Sequence, residues 1–231
     1  AILFLLIYNY GGLYNLNKNE KIISISILIL FIGLTQFVIT PYDNLSYASL
    51  ALSFYLFLVN EQKKNIATYA LLSASIFIAT LIRESSIILI PAFTAIYAAQ
   101  AGFNLNFLAR KLWLPCFAFL TAYVGVRYYL SGGTEIVQSI TLFRNFSFES
   151  ASNIMALAFA ITLFYLLWQY ANTGNVYLFK LFILLSLPYF AMVILAGLLI
   201  EFRLWMPVVI GTLLLCKLDM NKLSGSVQAR I

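Results

Sequence analysis

Leu81-Ile82-Arg83-Glu84-Ser85-Ser86-Ile87-Ile88-Leu89-Ile90-Pro91 sets four polar residues, two of them charged, at the middle of an apolar run from about Ile66 to Ala101. That run of 36 residues far exceeds the roughly 20 that one helix needs to cross a bilayer. It is expected to fold as two crossings with Arg83 and Glu84 at the turn, so that both charges face one side of a membrane. A single crossing would instead hold a charge pair inside lipid, which is costly and marks function where it occurs. Both geometries make Arg83 and Glu84 the first candidate site residues.

Composition points the same way. The chain has 231 residues, 63% hydrophobic and 10% charged, with a mean hydropathy of +0.94. A soluble globular domain, with about a quarter of its residues charged, is thereby excluded. The net charge of +6 follows from the excess of Lys and Arg that orients membrane proteins, so no nucleic-acid partner is expected. With no His, no Cys pair at ligand spacing and no Asp-x-Asp, neither a metal site nor a cofactor is expected. Cys116 and Cys216 read as small buried thiols. The chain opens inside an apolar run without Met or a basic leader, and reads as one whose upstream helices are missing.

Apolar stretches between short polar breaks place crossings near 1–14, 22–40, 45–60, 66–82, 86–101, 112–130, 151–171, 177–197 and 202–217. The expected fold is a single all-α domain over 1–231, a polytopic transmembrane helical bundle of about nine crossings. Alternating the breaks between two faces tests that count. One face collects Lys18, Lys21, Lys63, Lys64, Arg110, Lys111, Lys180, Lys217, Lys222 and Arg230; the other collects Arg83, Arg127, Arg144 and Arg203. With Ile66–Ala101 as a single crossing, the ten-to-four bias falls to about seven against six, which favours the hairpin. All eight lysines fall on the first face, expected to be cytoplasmic, as in a bacterial inner-membrane protein. The second face holds only arginines as cations, together with Asp43, Glu84, Glu135, Glu149 and Glu201. Guanidinium is the group suited to bidentate binding of phosphate or carboxylate, so this mixed cluster is where polar chemistry is sought.

Each motif on that face has a structural and a functional reading. In Pro41-Tyr42-Asp43-Asn44 the proline stops one helix and Asp43 or Asn44 caps the next, or Asp43 faces a polar cavity. Arg83 and Glu84 are neighbours that do not face one another on a helix. Each therefore either braces another boundary charge or contacts a ligand, Arg83 an anion and Glu84 a hydroxyl. In Glu201-Phe202-Arg203-Leu204-Trp205-Met206-Pro207 the two charges again do not face one another on a helix. There Trp205 reads as an interfacial aromatic, Arg203 as a snorkelling anchor, and Pro207 as a bend. The long loop Ser131–Ser150, with Arg144, is either a lid or an idle surface.

Together these motifs resemble the membrane portion of GT-C-type glycosyltransferases, in particular bacterial relatives of protein mannosyltransferases and of lipid A aminoarabinose transferase. The resemblance is carried by Pro-Tyr-Asp-Asn before an apolar helix, the basic break at Lys63 and Lys64, Leu-Ile-Arg-Glu-Ser-Ser with a following Pro, and the late Glu-x-Arg-x-x-x-Pro. It covers about Phe31–Pro91 and Glu201–Pro207. It implies a GT-C-like fold and a bilayer-embedded enzyme that takes a polyprenyl-phosphate sugar donor on the non-cytoplasmic side. Asp43, Arg83 and Arg203 match the family's pattern position by position. On chemical grounds Arg83 and Arg203 would bind the phosphate and Glu84, Asp43 or Glu201 would orient hydroxyls or act as base, with Arg127 and Arg144 as further substrate-binding candidates. A transporter or flippase for a lipid-linked or anionic substrate is the first alternative. The second is a noncatalytic subunit with membrane-protein partners.

Overall fold

The computed structural model describes residues 1–35, 41–130, 151–196 and 201–223. These residues are almost wholly helical, so the all-α class holds. The helices are α1 (Ile2–Asn9), α2 (Lys18–Thr35), α3 (Pro41–Lys63), α4 (Ile66–Ile82), α5 (Leu89–Ala101), α6 (Leu105–Gly125), α7 (Ala151–Asn172), α8 (Val176–Leu185), α9 (Leu187–Ala196) and α10 (Phe202–Leu215). A 3-10 turn, Glu84–Ile88, joins α4 to α5, and a π-helical turn, Val126–Leu130, closes α6.

The chain turns back at the expected place, although α4 and α5, of 17 and 13 residues, are not among the helices long and apolar enough to cross a membrane. Arg83 is extended (φ −159°, ψ 132°) and ends α4, and the chain then reverses through the 3-10 turn into α5. At the far end of α5 the Tyr97 hydroxyl donates to Glu61 Oε1 at 2.8 Å, close to the end of α3. Asp43 and Arg83 therefore share one end of the bundle, and Glu61, Tyr97 and Lys111 share the other.

Polarity is distributed inside out. Ser24, Ser53, Ser186 and Thr212 are fully buried, whereas Trp113, Phe117, Leu120 and Val124 form an exposed apolar stripe along α6. Similar exposed positions recur on α4 at Leu71 and Ile78 and on α7 at Ile154, Met155 and Ile161. An apolar belt around a core that holds hydroxyls is the pattern expected of helices solvated by lipid.

The expectation of nine crossings is corrected on length. Among the described residues, α6 and α7 are long and apolar enough to span a bilayer, and α8 with α9 makes a third if that pair, bent by 50°, counts as one. Helices of 8, 13 and 14 residues occupy the ranges read as 1–14, 86–101 and 202–217. At 1.5 Å per residue they rise only about 12–21 Å against a hydrocarbon core of about 30 Å. In each range the turn consumed residues that hydropathy had assigned to the span. The 18 residues of α2 carry Lys18, Glu20 and Lys21, too many charges for a span.

The ends of the chain are tied together at the Lys111 end. Tyr14 pairs with Leu218 in an isolated antiparallel bridge, and the Asp219 N–H donates to the Leu13 carbonyl at 2.8 Å. The Asn175 N–H donates to the Cys216 carbonyl at 2.6 Å, and a Cβ at Gly174 would collide with that same oxygen. Lys217, only 5% exposed, reaches Glu20 Oε1 at 2.9 Å and the Thr173 carbonyl at 2.8 Å.

Candidate functional site

The charges of the arginine end come from two helix starts, those of α3 and α10, and one helix stop, that of α4. Pro41 supplies the preset φ of a first helical residue, so α3 begins at Pro41 itself. Asp43 therefore sits inside the first turn rather than at the cap, which corrects the capping expectation. Its carboxylate is 2% exposed and ion-paired through Oδ1 with Nη1 of Arg83. Of the two readings of Arg83, the one in which it meets another boundary charge is realised. Arg83 is placed for this because it has left the helix, and an extended residue can turn its side chain back over α3.

Glu201 and Arg203 form a pair after all: Nη2 lies 2.8 Å from Glu201 Oε2, and Nε donates to the same oxygen at 2.9 Å. The expectation that they would not meet assumed both were helical. Glu201 precedes α10 at φ −79°, ψ 87°, and this swings its carboxylate onto Arg203. Trp205 is corrected as well. It is 3% exposed and packed edge-on against Phe164 with ring centroids 5.7 Å apart, a core residue rather than an interfacial one.

The two pairs feel one another. Burial first, and then the Arg203 guanidinium, push the Arg83 pKa down, while Tyr189 and Glu201 oppose the shift. Arg83 nevertheless stays charged at any physiological pH. The arginine end thus brings two guanidiniums near one another, each ion-paired with a carboxylate. An anion lying between them would be stabilised by both. Tyr189, which sequence reading missed, donates its hydroxyl to the Leu204 carbonyl at 2.6 Å and sits beside this pair. Its signal was Pro188, a helix-bending residue within an apolar run.

Two more hydroxyls are notable. Ser46, one turn after Asp43, and Ser85, two residues after Arg83, have buried oxygens without a hydrogen-bond partner. Their neighbour Ser86 is satisfied by Thr80 at 2.9 Å. Ser53, Gln100, Ser186 and Thr212 carry buried polar atoms in the same state, so the feature is not confined to the arginine end. Glu84 is half-buried at the start of the 3-10 turn. Arg127 lies in the π-helical turn Val126–Leu130. Glu135, Arg144 and Glu149 fall outside the described residues, as does Arg230.

Apolar grooves flank the cluster. One, of about 320 Å³, runs between α5, α6 and the α8–α9 bend and is lined by Ile87, Pro91, Phe119, Leu120 and Tyr189. Another, of about 390 Å³, lies among α1, α2 and α3 against Phe4, Leu28, Ile32 and Tyr47. Charges at a helix boundary above an apolar groove suit an amphipathic ligand with an anionic head. Among the described residues no group of three or more His, Cys, Asp or Glu side chains is arranged to hold a metal ion.

Comparison with protein-family models, with curated proteins and with solved structures finds no match to this chain.

Proposed function

We propose that this chain is a membrane glycosyltransferase-like protein that transfers a sugar from a polyprenyl-phosphate donor at the arginine end. One observation carries the reading: the Asp43–Arg83 pair and the Arg203–Glu201 pair share one end of the bundle, close enough for the two guanidiniums to repel. On this reading the donor phosphate lies between Arg83 and Arg203, which stabilise the charge that grows on the leaving phosphate. The prenyl tail follows an apolar groove between helices. Asp43, Glu84 or Glu201 takes the proton of the acceptor hydroxyl as the new glycosidic bond forms. The arginine end would face away from the cytoplasm, with the lysines opposite.

The test is transfer of radiolabelled sugar from a polyprenyl-phosphate donor by the purified chain in lipid. Arg203→Ala should cut turnover by about 100- to 1,000-fold with the fold intact, because Glu201 is partly exposed and tolerates losing its partner. Transfer at the wild-type rate in Arg203→Ala and in Arg83→Lys would remove both residues from the mechanism.

The 50° break between α8 and α9 favours a second reading, transport of a lipid-linked or anionic substrate, since broken helices recur at transporter sites. Movement of labelled donor between leaflets without sugar transfer would select it.

A further inference from the structure

The lysine end holds a cleft for which transfer chemistry has no use. It lies between the α3–α4 turn and the start of α6, has a volume of about 310 Å³, and is lined by Asn60, Lys64, Asn65, Tyr69, Arg110 and Lys111. Three cations thus surround one space. The nearby carboxylate, Glu61, is buried and already engaged by Tyr97 at 2.8 Å and Lys111 at 3.4 Å. Lys111 is held further by the Tyr97 and Phe107 rings, 5.4 and 6.0 Å from its Nζ. Lys64 and Arg110 are exposed, and no carboxylate among the described residues pairs with either. The N-terminus of α4, capped by Asn65 onto the Thr68 N–H at 2.7 Å, opens at the same place and adds to the positive potential.

Two features distinguish this cleft from an idle basic surface. Lys64 adopts φ 49°, a left-handed conformation in which glycine or asparagine would be at ease and lysine is not. The helix stop alone does not call for a lysine there. Around the cations Ile66, Phe103, Leu105 and Trp113 are exposed apolar side chains, interspersed with the exposed Lys63, Asn104 and Asn106. From Trp113 the exposed stripe continues along α6 toward the opposite end. Cations above an apolar stripe match a phospholipid, with phosphate at the cations and acyl chains along the helix.

We infer that this cleft binds the headgroup phosphate of an anionic phospholipid, with Lys64 and Arg110 as its direct contacts. Lys111 and the α4 N-terminus supply the supporting field. The inference rests on the chain lying in a bilayer, and it is independent of any sugar transfer.

The purified full chain, reconstituted with equal amounts of phosphatidylglycerol and phosphatidylcholine, is examined by native mass spectrometry for retained lipid. Wild type should retain phosphatidylglycerol over phosphatidylcholine by about tenfold or more. Lys64→Gly combined with Arg110→Gln should abolish that preference. Lys64→Gly alone should weaken it without lowering the lipid-free thermal midpoint, because glycine relaxes the backbone that lysine strains. Equal retention of the two lipids by wild type, or a preference that survives in the double variant, overturns the inference. Displacement of the lipid by millimolar inorganic phosphate also overturns it and makes free phosphate the ligand. A chain that stays soluble without detergent overturns the membrane reading and this one together, whereas stable reconstitution without headgroup preference overturns this one alone.

Discussion

The two ends of the bundle handle buried charge in different ways. At the lysine end two buried charges are engaged on several sides: Lys217 has Glu20, the Thr173 carbonyl and the Tyr170 ring, and Glu61 has Tyr97 and Lys111, although the buried Gln100 Nε2 at the same end lacks a partner. At the arginine end burial and then the nearby Arg203 lower the Arg83 pKa, each guanidinium has one carboxylate, and the Ser46 and Ser85 hydroxyls lack partners. A charge engaged on several sides holds a fold together, and under the proposed function the arginine end is where a ligand would add its own contacts.

Four substitutions test that contrast, beginning with the largest effect. Arg83→Ala leaves the Asp43 carboxylate, 2% exposed, without its countercharge. Unfolding free energy in lipid or detergent should fall by about 3–5 kcal/mol, and Asp43→Asn with Arg83→Gln should recover most of it. Full stability in the single variant would mean that the pair braces nothing. Lys217→Met removes an ammonium that holds α2, the α7–α8 turn and the end of α10 together, for a loss of about 2 kcal/mol. A loss below that of a surface variant would show that Lys217 does not hold those elements together. Arg203→Ala should lower stability by about 1 kcal/mol or less, because its partner is partly exposed. If instead it destabilises as much as Arg83→Ala, Arg203 is a brace and not a ligand group.

The smallest effect is a pH dependence. The hydrogen bond from Lys217, then one from the Asn17 N–H, hold the Glu20 carboxyl below its ordinary range. A carboxyl with a depressed folded pKa contributes stability above its unfolded pKa and loses it as pH falls through the folded one. The thermal midpoint should therefore drop between about pH 5 and pH 3, and Glu20→Gln should flatten part of that drop. An identical slope in the variant would separate Glu20 from the acid response.

Much of the arginine end was legible in the sequence because charge inside an apolar run has few places to go. Arg83 and Glu84 marked the hairpin turn, and Asp43 and Arg203 marked the same face. What escaped was local. Two residues apart reads as not facing only when both are helical, and Glu201 is not. Hydropathy treats Trp205 like Trp113, yet one is buried and the other exposed, since it counts apolar residues without knowing which face of the helix packs. Tyr189 and Lys217 were invisible as site and latch, because their partners lie 15 and 197 residues away. Span number failed for a related reason: hydropathy sees apolar length, while 3-10 turns and extended caps divide that length between helix and connection.

The bridge between Tyr14 and Leu218 has a consequence for synthesis. Tyr8 donates to the Leu213 carbonyl across 205 positions of sequence, so this bond can close only after α10 has been translated. At about 5–20 residues per second Tyr8 waits roughly 10–40 s for that acceptor. During that interval the carbonyl acceptors of Tyr8 and Tyr14 do not yet exist. The seam between α1 and α10 thus closes late, and a ribosome stalled before α10 would leave the α10-facing side of α1 uncovered.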